Sequence, residues 1–450
     1  MTDNAAPPRN AAQPSRSLLR HRDFLKLWTA ETVSVFGSQV SALALPIVAA
    51  IILKVTPFEF GLLGTIEMLP FIILSLPAGV WVDRLRRRPI LIVGDLGRAI
   101  ALLSIPLAYA LGGLTIWQLY IVGFATGCLT VFFDVAYQSY LPSIVDRDQL
   151  VEGNSKLEIT RSASQIAGPG LAGVLIGLLT APFAIVLDAL SFVFSAIFVV
   201  GIRRAEPPIV PHDVATGRKP SMRQEIALGL RYVTGHRWLR SIAATTGTSN
   251  LFGSISGAIL ILYLVRDHAF TAQLIGFAFS IGSVGVLSAA LVTNRLTNRF
   301  GVGRMLVLTS IGFSLSGLPI AMAPDALLFG AVALSGFMGG FCGVAWNINQ
   351  VSLRQAITPA RMQGKMNASM RFIVWGTIPV GSIIGGFLGG IIGLHNTIWV
   401  GALGGLVAFV PVTLSQVRRL VTMPEPVDAD VPAGQGGGAA GAPDVGAAGA

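Results

Sequence analysis

Nine ionisable side chains fall inside stretches that are otherwise apolar: Glu31, Glu67, Asp95, Arg98, Asp134, Glu158, Arg161, Asp188 and Arg371. Charge is costly in a low-dielectric setting, so each of these groups has to be paired, hydrated or used. Asp95 and Arg98 are one helical turn apart, as are Glu158 and Arg161, and that spacing favours neutralising pairs, with Arg371 a further member of this intramembrane charge set. Asp134, expected at the end of its stretch, has Arg84, Arg88 or Arg98 as a partner, and Asp188 reads as a structural hydrogen-bonding residue. Glu67 differs. It stands about a third of the way into its stretch with no basic residue nearby in sequence, which suits a carboxyl that takes up and releases a proton. Glu31 is the second candidate for that role.

Other chemistries lack their parts. None of the five histidines lies deep in an apolar stretch, and Cys128 and Cys342 are far apart and read as small packing residues. No metal cluster, disulfide framework or nucleophile with its base is expected, so the chain is not read as an enzyme. A Gly-x-x-x-x-Gly-Lys-Ser/Thr run is missing, and neither a nucleotide nor any other cofactor is expected.

The elements that carry these residues are long and greasy. Of 450 residues, 53% are hydrophobic and 12% charged, against roughly 25% charged in an ordinary soluble domain. Twelve apolar runs are long enough to cross a bilayer, at about 28–52, 61–82, 89–111, 116–138, 157–179, 183–201, 241–264, 274–293, 305–323, 327–351, 366–391 and 396–416. The fold class is therefore an all-α polytopic membrane protein with 12 transmembrane helices. The division expected is a polar N-terminal segment (1–26), a six-helix bundle (27–201), a linker (202–240), a second six-helix bundle (241–417) and a Gly/Ala-rich tail (418–450) expected to be disordered. Within the linker, Ser221 to Val233 fits an interfacial helix or a solvated connector.

Lys and Arg set the orientation. Alternate loops and both termini hold 27 of them and the opposite loops hold 2, Lys54 and Arg266. Basic loops resist translocation, so both termini are expected to be cytoplasmic. The net charge of +10 is thus a topology signal, and no nucleic acid partner follows from it. The partner this pattern implies is the bilayer.

The chain also repeats itself. A shift of 213 residues places Gly123-Phe124 on Gly336-Phe337, Gly168 on Gly381, Gly173 on Gly386 and Gly177 on Gly390. The halves are read as copies of one six-helix unit, an arrangement that puts a substrate cavity between them.

Two motifs carry a resemblance. The run Gly79-Val80-Trp81-Val82-Asp83-Arg84-Leu85-Arg86-Arg87-Arg88 is similar to the Gly-x-x-x-Asp-Arg-x-Gly-Arg-Arg loop of the major facilitator superfamily, with Arg86 in place of the second Gly. Gly168-Pro169-Gly170-Leu171-Ala172-Gly173 looks like the Gly-Pro-x-x-Gly-Gly segment of its proton-driven antiporters. Arg22-Asp23-Phe24, Asp95-Leu96-Gly97-Arg98-Ala99 and Leu141-Pro142 narrow the likeness to a bacterial branch of siderophore, macrolide and other drug exporters. That resemblance implies a cytoplasmic gate built on Gly79, Asp83, Arg84, Arg87, Arg88 and Asp134, and an antiporter-type hinge at Gly168, Pro169 and Gly173. It also implies proton-coupled export of an amphipathic compound by rocker-switch alternating access across a bacterial plasma membrane. A proton-coupled importer or a non-transporting receptor of the same architecture is the alternative.

Overall fold

The computed structural model describes residues 18–82, 85–146, 149–204, 206 and 222–424. These form helices with no strand among the described residues. Six helices make the first half: α1 (Arg22–Ile52), α2 (Pro57–Val82), α3 (Arg87–Ala110), α4 (Ile116–Ile144), α5 (Leu150–Leu179) and α6 (Ala181–Val200). After α7 (Met222–Gly235) the second half holds α8 (Arg237–Arg266), α9 (Ala272–Phe300), α10 (Val302–Met322), α11 (Leu328–Ala356), α12 (Ala360–Ile391) and α13 (Leu394–Leu414). Twelve of these helices are long and apolar enough to cross a membrane. Their outer faces carry bare apolar side chains such as Ile100 (72% exposed) and Leu178 (75%), which water would penalise and lipid accepts.

Several helices overrun the apolar runs that predict them. Helix α4 continues to Ile144, α9 to Phe300 and α11 to Ala356, while α5 begins at Leu150 and α12 at Ala360. All these extensions lie at the end bearing the basic loops, where polar helix turns stand clear of the apolar layer. Of the two linker readings, the structure has a helix, and it is docked: Val233 is fully buried, and Tyr232 donates its hydroxyl hydrogen bond to the Ile357 carbonyl.

The two halves pack alike. Helices α1 with α5, α1 with α6 and α2 with α4 pair in the first half, and α8 with α12, α8 with α13 and α9 with α11 in the second. Between halves, α5 packs along α9 and α2 along α12, two seams related by the repeat. At the end opposite the basic loops a single buried apolar cluster includes Val40, Leu63 and Ile176 of the first half with Ile259, Ile275 and Leu394 of the second. At the basic end the core divides into two clusters, one around Phe24, Leu91 and Tyr140 and one around Leu239, Leu306 and Met366. The molecule is closed at one end and parted at the other.

Candidate functional site

The seams explain why the small residues stand where they do. A Cβ on Gly173 would fall 2.5 Å from the Ala272 carbonyl oxygen, and one on Gly276 would fall 2.2 Å from that of Pro169. The Gly170 N–H donates to Ser280 Oγ at 2.8 Å. The segment around Gly168 and Pro169 therefore lies backbone against backbone on α9, with Gly168 itself turned to Gln39 of α1. Its repeat partner does the same: a Cβ on Gly386 would fall 2.8 Å from the Pro57 carbonyl oxygen, and Thr65 donates to the Pro379 carbonyl at 3.3 Å.

In the first half Asp95 Oδ1 and Arg98 Nη2 are 2.6 Å apart, with both side chains buried. The guanidinium carbon also lies over the rings of Phe133 and Phe192, 4.3 and 4.1 Å from their centroids, so its charge is compensated by one carboxylate and two π clouds. Glu158 and Arg161 share the same spacing but make no ion pair. Both are exposed on the wall of a cavity of ≈ 580 Å³, where water screens such a pair to little value. Glu31 is buried on that same wall beside Tyr137, whose hydroxyl is buried without a partner.

Glu67 projects from α2 against the bare backbone of Gly123 on α4, where a Cβ would stand 3.0 Å from Glu67 Cγ. It lines a separate cavity of ≈ 290 Å³ with Ser41, Thr126 and Asp188. Its Oε1 is buried and has no hydrogen-bond partner. Arg98 reaches this cavity too, brought by the fold rather than by sequence neighbourhood, but its Nη2 is already on Asp95. Asp188 accepts from Ser191 at 3.2 Å, as a structural residue would.

Three further expectations change. Asp134 is ten residues from the end of α4 rather than at it, because that helix runs to Ile144. Of the three partners expected for it, Arg84 lies outside the described residues, Arg98 is paired with Asp95, and Arg88 makes no described ion pair with it. Arg88 instead turns to the carbonyls of Val199 (Nε, 3.3 Å) and Val200 (Nη2, 2.5 Å) at the end of α6, where the helix dipole favours a cation. Arg371 pairs with no carboxylate, since none lines its surroundings among the described residues; it lies over the Trp375 ring, 5.0 Å from the centroid.

Of the gate signature, Asp83 and Arg84 lie outside the described residues and Gly79 falls within α2. Arg87 and Arg88 begin α3, and their backbone N–H groups donate to Glu206 Oε2 at 2.8 Å and Oε1 at 2.7 Å. Glu206 thus caps α3 from the start of the linker. Asp23 does likewise for the turn after α6, accepting from the Arg203 and Arg204 N–H groups at 3.3 and 3.0 Å.

The second half holds a cavity that charge counting overlooks, ≈ 610 Å³ and lined by Asn250, Trp346, Asn347, Gln350, Arg354 and Asn367 among others. The signal for it is present in the sequence as amides within apolar helices, Asn347 and Gln350 above all. Trp346 Nε1 donates to Thr246 Oγ1 at 3.1 Å and Gln350 Nε2 to Asn347 Oδ1 at 2.8 Å. The halves thus present unlike walls, carboxylates on one and amides with guanidiniums on the other. No group of His, Cys, Asp and Glu residues able to hold a metal occurs among the described residues.

Known proteins share this architecture. The chain is 25% identical over 363 residues to the multidrug efflux pump Tap of Mycolicibacterium fortuitum, covering 78% of this chain and 86% of that one. It is 22% identical over 354 residues to the enterobactin exporter EntS of Escherichia coli, covering 78% and 82%. The fold is similar to that of a bacterial homologue of the iron transporter ferroportin in an inward-facing state (TM-score 0.65, 19% identity, 88% of this chain and 99% of that one). The nucleoside transporter NupG is similar as well (TM-score 0.67, 13% identity, 88% and 98%). The profile of the transmembrane secretion effector family matches residues 14–429. With twelve spans in two repeats and that match along nearly its whole length, the chain belongs to the transmembrane secretion effector family of major facilitator transporters.

Proposed function

We propose that the protein is a proton-coupled antiporter that exports an amphipathic organic compound by rocker-switch alternating access, with both termini and the parted end facing the cytoplasm of a bacterium. The observation that carries the proton coupling is Glu67: its Oε1 is buried, unpartnered and set in a cavity lined by α1, α2, α3, α4 and α6. A carboxyl so placed is stable when protonated and costly when charged, and it becomes tolerable as an anion when the cavity admits water or a cationic partner. Export is supported by the names of the relatives, a multidrug efflux pump and an enterobactin exporter. The 27 to 2 distribution of basic residues supports the cytoplasmic assignment of the parted end. Asp83 and the arginines after it fit a latch that holds the cytoplasmic end when it closes.

The test is proton flux in energised inside-out membrane vesicles challenged with dyes, antibiotics and siderophores. Cargo-evoked escape of protons from the lumen, lost in Glu67→Gln with cargo binding retained, is the expected result. Gradient-driven flux that persists in Glu67→Gln removes Glu67 as the proton site, and flux in the opposite direction makes the protein an importer.

A further inference from the structure

The cavity of the second half holds charge that no described carboxylate neutralises. Arg354 and Arg371 both line it, no carboxylate lines it among the described residues, and neither arginine takes part in a described ion pair. Among the described residues Arg371 lies over the Trp375 ring, and Arg354 Nη2 donates to Asn367 Oδ1 at 3.5 Å. Arg354 Nε is buried without a partner, and so are Thr245 Oγ1 and Gln350 Oε1 on the same wall. Thr245 and Gln350 are 1% and 5% exposed. Buried polar atoms are costly to leave unpaired, and three of them converging on one space of ≈ 610 Å³ mark a place that a ligand completes.

We infer that this wall recognises the cargo, and that the cargo is an organic anion: a planar aromatic body bearing a carboxylate or sulfonate, with a hydroxyl or N–H alongside. The inference rests on the transport reading above. The anionic group meets the guanidiniums of Arg354 and Arg371, whose planar forks match a two-oxygen head better than a point charge does. The ring lies against Trp346 and Trp375, and the donor satisfies Gln350 Oε1. A cationic amphiphile would instead meet two arginines with no described carboxylate beside them, Arg354 partly buried and Arg371 open to the water of the cavity.

Two xanthene dyes of similar size test this, the anion fluorescein and the cation rhodamine 123, with binding read by fluorescence polarisation on the full chain in lipid nanodiscs at pH 7.5. Fluorescein is expected to bind at least about tenfold tighter. Arg354→Gln and Arg371→Gln are each expected to weaken it by about tenfold, the effect of one charge-assisted contact of about 1.4 kcal/mol. Arg371→Lys, which keeps the charge and the fold, should retain the preference for the anion. Equal or tighter binding of rhodamine 123, no binding of fluorescein, or fluorescein affinity indifferent to both glutamine variants overturns the assignment. Flux separates the two readings. Proton-driven rhodamine 123 transport without fluorescein binding refutes the anion site and leaves the antiporter standing; arginine-dependent fluorescein binding without any proton-driven flux does the reverse.

Discussion

Arg266, at the end of α8, donates from Nη2 to the Val55 carbonyl at 2.5 Å, tying the second half to the loop between α1 and α2 in the first. Its Nη2 also reaches the Ala50 carbonyl, in the π-helical turn that ends α1, at 3.5 Å. The contact lies at the closed end and must break for that end to open. Being exposed, it contributes about 1 kcal/mol rather than the larger value of a buried charge-assisted bond. Arg266→Ala should therefore shift the balance toward the state open at that end by about fivefold. Spin-label distances between positions 54 and 267 in a chain lacking Cys128 and Cys342 measure it; an unchanged distance distribution means that the apolar cluster alone holds the closure.

The Asp95–Arg98 pair is structural in character, with both side chains buried and the guanidinium over the rings of Phe133 and Phe192. Asp95→Asn leaves a guanidinium without its counter-ion and should cost about 3–5 kcal/mol. Asp95→Asn with Arg98→Gln should be distinctly less harmful than Asp95→Asn alone, because the stranded charge goes with its partner. Thermal unfolding of the purified variants decides this. A double variant as unstable as the sum of the two singles would mean that the pair is not coupled.

How far these features could be read from sequence depends on whether the signal is local. Span number, the two copies and the Asp95–Arg98 spacing follow from hydropathy and a three-residue step, which folding does not alter. Helix ends were missed because hydropathy stops at the membrane surface, whereas the hydrogen-bonded turns of α4 run on to Ile144 and carry Asp134 away from the loop. Sequence offers Arg88 as one of three partners for Asp134 because it shows charges but not helix carbonyls, and the C-terminal end of α6 attracts it instead. The second-half cavity is not legible for a related reason: Asn347, Gln350 and Asn367 come together only when α11 and α12 pack, and uncharged amides do not stand out in a census of charge.

Glu206 offers a check on the basic end of the first half. Its carboxylate accepts from two N–H groups in the first turn of α3, and a charged cap of this kind is worth about 1–2 kcal/mol. Glu206→Ala should lower stability by that amount, and Glu206→Gln by less, since an amide oxygen still accepts but without the charge. Cargo affinity should not move in either, because Glu206 lines none of the three cavities described. Loss of binding with unchanged stability would show that the start of the linker belongs to the site.

The glycine seams give the sharpest contrast. At Gly173 an added methyl meets the Ala272 carbonyl oxygen at 2.5 Å, and at Gly386 it meets that of Pro57 at 2.8 Å. Both obstacles are backbone and cannot swing aside, so Gly173→Ala and Gly386→Ala must push α5 from α9 and α2 from α12. Gly376, on the same α12, has nothing within 4 Å of a Cβ, so Gly376→Ala should be neutral or stabilise by up to about 1 kcal/mol through helix propensity. The two seam variants should lose closure at the far end and most of their transport, with the bundles themselves still folded. Because the seams are repeats of one another, the two losses should be similar in size. Transport in proteoliposomes, with thermal stability measured alongside, reads all three variants, and a Gly173→Ala protein that transports as well as Gly376→Ala would mean that the seam is packing without function.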